Sequence, residues 1–184
     1  VDRSTSPFIC PAGGGAIDPE PFIDSDGRAY LLWKNYDGRT GIMGQELAAD
    51  GLSRVGPARI LAVADQPWED GIVEAPTLLA VDGTYYLFYS GNRWATADYA
   101  IGYAVCASPL GPCGKPAAGP WLASSASAQG PGSPSAFTDE HRDTWLAFHS
   151  WVKGKVGYPQ GARNLFVVPF AIVDGRPVLT PGGA

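Results

Sequence analysis

Three short apolar strands that start on an aromatic residue recur along the chain: Tyr30-Leu31-Leu32-Trp33, Tyr86-Leu87-Phe88-Tyr89 and Trp145-Leu146-Ala147-Phe148. Their spacing is about 56–59 residues, and self-similarity at a steady period marks a repeat architecture. Turn-forming residues precede each one: Asp24-Ser25-Asp26-Gly27, Asp82-Gly83 and Thr138-Asp139-Glu140-His141. About twelve residues before each aromatic start stands a polar residue at the head of a preceding strand, namely Asp18, Glu74 and Ser133. This spacing places the three in one structural register.

Each unit continues into a third strand, over Gly41 to Ala48, Tyr99 to Ala107 and Asn164 to Val173. A weaker fourth follows near Ala58 to Val63, Trp121 to Ser124 and Pro177 to Thr180. Four strands in a unit of this length is the blade of a β-propeller. The reading is therefore all-β: one partial propeller domain over 1–184, with blades at about 17–65, 72–124 and 132–180. No convincing helix is predicted beyond a turn at Ala95 to Tyr99. Three blades leave the ring unclosed, with open edges of the kind that pair with other chains. The expectation is the C-terminal part of a longer protein, with assembly of copies as the alternative and self-association through the open edges as a consequence.

Composition sharpens this. The 184 residues are 45% apolar and 17% charged, with 24 Gly and 17 Pro, which fits a folded protein of short strands and tight turns. Net charge is −5 and no Lys/Arg cluster is present, so no nucleic-acid partner is expected. No apolar run approaches the roughly 20 residues that span a bilayer, so no membrane partner is expected either. Cys106 and Cys113 bracket Ala-Ser-Pro-Leu-Gly-Pro, a segment able to bring them within disulfide reach. Two unrelated small buried residues fit that spacing equally well. Cys10 is left over.

Glu74 is the first candidate for chemistry. Its strand neighbours are Ile72, Val73, Ala75, Pro76, Leu78 and Leu79, and a carboxylate in such a setting must be paired, hydrogen-bonded or protonated. In a propeller the first residues of the inner strands lie at one mouth of the central channel, so Asp18, Glu74 and Ser133 are expected to converge there. Burial together with a second carboxylate would push the Glu74 proton affinity up, as a general acid needs. A structural carboxylate paired with an arginine such as Arg163 is the alternative.

Four segments, taken together, resemble one known family. Ile17-Asp18-Pro19-Glu20-Pro21-Phe22-Ile23-Asp24-Ser25-Asp26-Gly27 is similar to the third-blade motif of family 43 glycoside hydrolases. Val73-Glu74-Ala75-Pro76 with Tyr85-Tyr86-Leu87-Phe88-Tyr89-Ser90 resembles their fourth-blade motif. The run from Tyr99 to Pro112 resembles the strand and turn that follow, and Gly130-Pro131-Gly132-Ser133 with Trp145 to His149 resembles the last blade. The resemblance implies a five-bladed propeller that degrades arabinan or xylan and inverts the anomeric carbon. It makes Glu74 the general acid and Asp18 the auxiliary acid that tunes and orients it. It places the general base, an Asp, in a first blade that has no counterpart here. Asp2, in a polar segment, is not promoted to that role, and the chain alone is expected to be inactive. A non-catalytic carbohydrate-binding propeller is the alternative. A plant cell-wall oligosaccharide or polysaccharide is the implied partner, and secretion the implied localisation.

Sugar faces stack on aromatic rings and sugar hydroxyls take bonds from Arg and Asn. Trp94 is the leading candidate for a subsite platform, with Arg163, Asn92 and Trp33 as further substrate contacts. Many members of the resembled family carry a His at the position of Ser133, reaching a central cation that is often calcium. A hydroxyl is a poorer ligand, so no cofactor or bound metal is expected. His141 reads as a solvated turn residue, and His149 as a core residue ahead of a channel-lining one.

Overall fold

The computed structural model describes residues 6–11, 14–36 and 41–180. Asp2 lies outside them. Twelve strands form three four-stranded antiparallel sheets, one per sequence repeat. The first holds β1 (Ala16–Ile23), β2 (Ala29–Asn35), β3 (Gly41–Leu47) and β4 (Arg54–Val63). The second holds β5 (Val73–Val81), β6 (Thr84–Gly91), β7 (Ala100–Cys106) and β8 (Cys113–Gly114). The third holds β9 (Gln129–Thr138), β10 (Thr144–Trp151), β11 (Arg163–Val173) and β12 (Arg176–Leu179). The first strand of the second sheet, β5, packs against β1 and β2 on one side and β9 on the other.

The apolar runs follow from this stacking. The second sheet lies between two cores, so every residue of Tyr86-Leu87-Phe88-Tyr89 is buried. Leu87 and Tyr89 enter the core shared with Tyr30, Leu32 and Ile42 of the first sheet. Tyr86 and Phe88 enter the core shared with Leu146, Phe148 and Phe170 of the third. The outer sheets bury one face each. Leu165, Val167 and Phe137 of the third sheet remain exposed. The first sheet carries a groove of about 170 Å³ lined by Phe8, Ile9, Ile17, Leu31 and Trp33.

The fourth strand of the second sheet is not where the sequence put it. Trp121 to Ser124 makes a single bridge from Leu122 to Ile101 and no strand. The ladder partner of β7 is instead Cys113–Gly114, held beside Cys106 by a Cys106–Cys113 disulfide. Pro116 and Pro120, which have no N–H to give, stand between the two segments. Cys10 is free and exposed.

Sequence reading also missed a 3-10 turn at Pro67–Glu69, in the link between the first two sheets. Glu69 is fully buried there. Its carboxylate accepts bonds from the Asp65 and Gln66 amides (both 2.9 Å), the Tyr89 hydroxyl (2.8 Å) and the Lys115 ammonium (2.6 Å). Its carbonyl accepts from the Ile72 and Asn92 amides, pinning both ends of β5–β6 at the level of Glu74. Removing one partner of a buried ion pair leaves the other uncompensated. Glu69→Gln is therefore expected to lower stability by about 3–5 kcal/mol, read as a fall in the urea midpoint at constant m-value.

Candidate active site

The inner strands β1, β5 and β9 each carry one extra residue, a bulge, at the same level. The bulge residues are Asp18 (φ 56°), Ala75 (φ 48°) and Ser133 (φ 51°), each followed by a proline. Ladder pairing therefore makes Ala75, not Glu74, the counterpart of Asp18 and Ser133. Glu74 stands one position earlier, level with Ile17 and Gly132. The register read from sequence was off by one in the middle sheet, because the hairpin there closes on the short Asp82-Gly83 turn.

That offset brings the two acids together. The Asp18 carboxylate accepts the Ala75 amide at 2.9 Å and so holds the bulge beside Glu74. Ser90 does the same one sheet further on, accepting the Ser133 amide at 2.8 Å. Burial, then the nearby Glu74 charge, raises the Asp18 pKa, while the Ala75 N–H and the Lys34 cation oppose the rise.

Glu74 is nearly buried, and its ion-pair partner among the described residues is Lys34, not Arg163. Lys34, from β2, donates to Oε2 at 2.5 Å, and the Tyr99 hydroxyl donates to Oε1 at 2.6 Å. Lys34 is only 2% exposed. Burial alone would lower its pKa, but hydrogen bonds to Glu74 and Tyr36 and the Glu74 charge more than offset this and raise it. Tyr99 is held in its neutral, donating form by burial and by the Glu74 charge. Its ring lies across Gly132, where a Cβ would come within 1.8 Å of the ring. No other residue fits at Gly132 without moving Tyr99.

Past Gly132, Tyr99 stacks on His149 (6.0 Å, 15°). His149 is thus part of the site and not of the core. Its Nε2 lies 3.2 Å from Arg163 Nη1, and since arginine only donates, that nitrogen accepts. Burial and the Arg163 cation lower the His149 pKa to about 4. The Arg163 guanidinium sits over Trp94, Trp151 and Tyr158 at 5.1–5.5 Å and also donates to the Tyr158 hydroxyl. Trp94 and Arg163 are therefore brought together, with Trp94 45% exposed.

The other two candidates are not at the site. Trp33 points to the face of β2 opposite Lys34, into the open groove of the first sheet. The Asn92 amide is engaged with the Trp68 carbonyl and the Arg93 N–H, shaping a turn. His141 is exposed in its turn, as read. Lys34, Tyr99 and Gly132 were not singled out by sequence, although a lysine inside Leu31-Leu32-Trp33-Lys34 is as anomalous as Glu74 in its own strand.

No group of three or more His, Cys, Asp or Glu side chains that could hold a metal occurs among the described residues. The Ser133 hydroxyl is engaged with Tyr99.

Three four-stranded sheets that bring two carboxylates, a lysine and a tyrosine together define a propeller-type fold with a candidate site at one end of the inner strands. Comparison with known proteins agrees. The sequence profile of the glycosyl hydrolases family 43 matches residues 4–177. The chain belongs to that family. It is 28% identical over 137 residues to the β-D-galactofuranosidase xynD of Aspergillus niger, covering 74% of this chain and 38% of that protein. It is 32% identical over 100 residues to the extracellular endo-α-(1→5)-L-arabinanase 1 of Bacillus subtilis, covering 53% and 30%. Among solved structures, a thermostable family-43 glycoside hydrolase superposes with TM-score 0.84 at 27% identity, covering 96% of this chain and 61% of its own. An endo-1,4-β-xylanase from Bacteroides thetaiotaomicron gives 0.83 at 28%, covering 100% and 62%. The chain thus spans about 60% of these structures and less of the curated relatives.

The His149 environment makes a pH prediction. Between pH about 4 and 6.5 the folded state binds fewer protons at His149 than the unfolded state does, so stability drops as pH falls through that window. His149→Phe keeps the stack on Tyr99 and removes the titration. The melting temperature of the variant is expected to fall less between pH 6.5 and 4 than that of the parent.

Proposed function

We propose that these three blades are the C-terminal part of a five-bladed inverting glycoside hydrolase that acts on arabinan- or xylan-derived oligosaccharides. Glu74 donates the proton to the leaving glycosidic oxygen. Asp18 positions Glu74 through the Ala75 amide. The general base that activates water comes from a blade outside these 184 residues, so the chain alone is inactive. Inverting hydrolysis needs that second carboxyl roughly 6.5–9.5 Å from the acid, leaving room for a water. Trp94 and Arg163 bind sugar. The observation that carries the reading is the Glu74 carboxylate held by Lys34 and Tyr99 beside Asp18, in a chain of this family.

Relatives named as arabinanase, xylanase and galactofuranosidase leave the sugar unit to experiment, and furanosides and xylosides belong in the same panel. In the full-length protein, Glu74→Gln is expected to cut hydrolysis of unactivated oligosaccharides by about 10²–10⁴. Aryl glycosides whose leaving groups need no proton should lose far less. Equal losses on both would remove Glu74 from the acid role.

The unclosed ring has its own support. Trp33 Nε1 is buried without a hydrogen-bond partner among the described residues, on the face where a neighbouring blade would pack. Leu165 and Val167 are 75% and 51% exposed on the corresponding face of the third sheet. Further blades of the same polypeptide cover both. The isolated 184 residues are expected to self-associate, seen as a scattering mass above 19.3 kDa; a stable monomer would contradict this.

A further inference from the structure

We propose that Lys34 is a positioning residue for the reaction, fixing the Glu74 carboxyl across the blade boundary and setting how readily it gives up its proton. This deepens the reading of Glu74 as general acid and rests on it. Three observations carry it. Lys34 is a cation 2% exposed in an apolar strand, a placement that only a matched anion sustains. Its ammonium meets Glu74 at 2.5 Å and sits 4.2 Å over the Tyr36 ring, so its direction is fixed from two sides. Lys34 is also the ladder partner of Ile17, one residue before Asp18. A single hairpin, β1–β2, therefore delivers both an anion and a cation to the same carboxyl of the next blade.

The two act in opposite senses. Asp18 brings a negative charge towards the Glu74 carboxyl, and Lys34 brings a positive one onto it. An acid must be protonated before the bond breaks and is ionised after it. The lysine stabilises the charge that develops on Glu74 as the proton leaves. The other groups facing Glu74 are Tyr99 before β7, which donates to Oε1, and His149 on β10, with Arg163 of β11 behind it. His149 is neutral above pH about 4, so it does not replace the Lys34 charge.

The pair is tested from both ends in the full-length protein. Lys34→Met is expected to move the alkaline limb of kcat/KM, where the general acid loses its proton, upward by roughly one to three pH units. Lys34→Arg should hold the limb near its parental position. If Lys34→Met does not fold, Lys34→Gln removes the charge with the stem and a donor kept. From the other end, Glu74→Gln should drop the pH at which the Lys34 side chain titrates by NMR, since burial then acts without a counter-ion. A limb that stays put when Lys34 loses its charge, or a Lys34 titration indifferent to Glu74→Gln, overturns the proposal even where Glu74→Gln discriminates between leaving groups. A Lys34 titration that shifts while both classes of leaving group suffer equally supports the pair and overturns only the acid role.

Discussion

The bulge shared by the three inner strands is the constraint on which the site depends. Asp18, Ala75 and Ser133 all sit at positive φ, where an L-residue with a side chain is disfavoured by about 1–3 kcal/mol. Two of them are held by the sheet before them: Asp18 takes the Ala75 amide and Ser90 takes the Ser133 amide. One level down, Thr77 donates to Glu20 and accepts the Ala136 amide, so a second row of bonds ties the same three strands. Two of the three strained positions, Ala75 and Ser133, are thus stabilised by a neighbouring blade. The geometry at Glu74 exists only when sheets one and two are packed together.

Two carboxylates show how similar chemistry serves different ends. Glu69 and Glu74 each take a lysine and a tyrosine hydroxyl: Lys115 and Tyr89 for the first, Lys34 and Tyr99 for the second. Glu69 is sealed, and two backbone amides fill its remaining acceptor capacity. Glu74 retains 12% exposure, and its bonds among the described residues come from those two side chains alone. A carboxylate offers about four lone-pair sites. Glu69 has no capacity left for a ligand, whereas Glu74 has. The two carboxylates differ in their unfilled acceptor sites, not in the identity of their side-chain partners.

Period and turn chemistry made the fold legible in sequence. The aromatic strands, the three-unit repeat and most strand limits follow from patterns local to each unit. The failures are non-local. The fourth strand of the middle sheet was set by a cystine and two prolines, not by apolar content. The register of Glu74 slipped by one because counting residues across a hairpin cannot see that one turn is tighter than its neighbours. Glu74 was singled out because an acid in an apolar strand is conspicuous, and Asp18 because of its place in the repeat and in the resembled motif. Lys34 was equally conspicuous and was passed over. Two opposite charges in neighbouring repeats at similar depth are each other's most economical solution, and that argument needs no coordinates. Tyr99 and Gly132 were beyond reach, since nothing local links a glycine in one repeat to a ring from another.

Trp33 and Lys34 bring these threads to one place. They are adjacent in β2 and so project to opposite faces of the first sheet. Lys34 reaches forward to Glu74, while Trp33 faces the open groove with its indole N–H unpaired among the described residues. The same strand is therefore a wall of the site on one side and of the open groove on the other. Whatever packs on the Trp33 face bears on β2, and β2 carries the ammonium that fixes Glu74. Sheet strands are stiff across their pleat, and a displacement of the backbone at Trp33 is a displacement at Lys34. Completion of the ring would then do more than supply a second carboxyl: it would fix the position of the first.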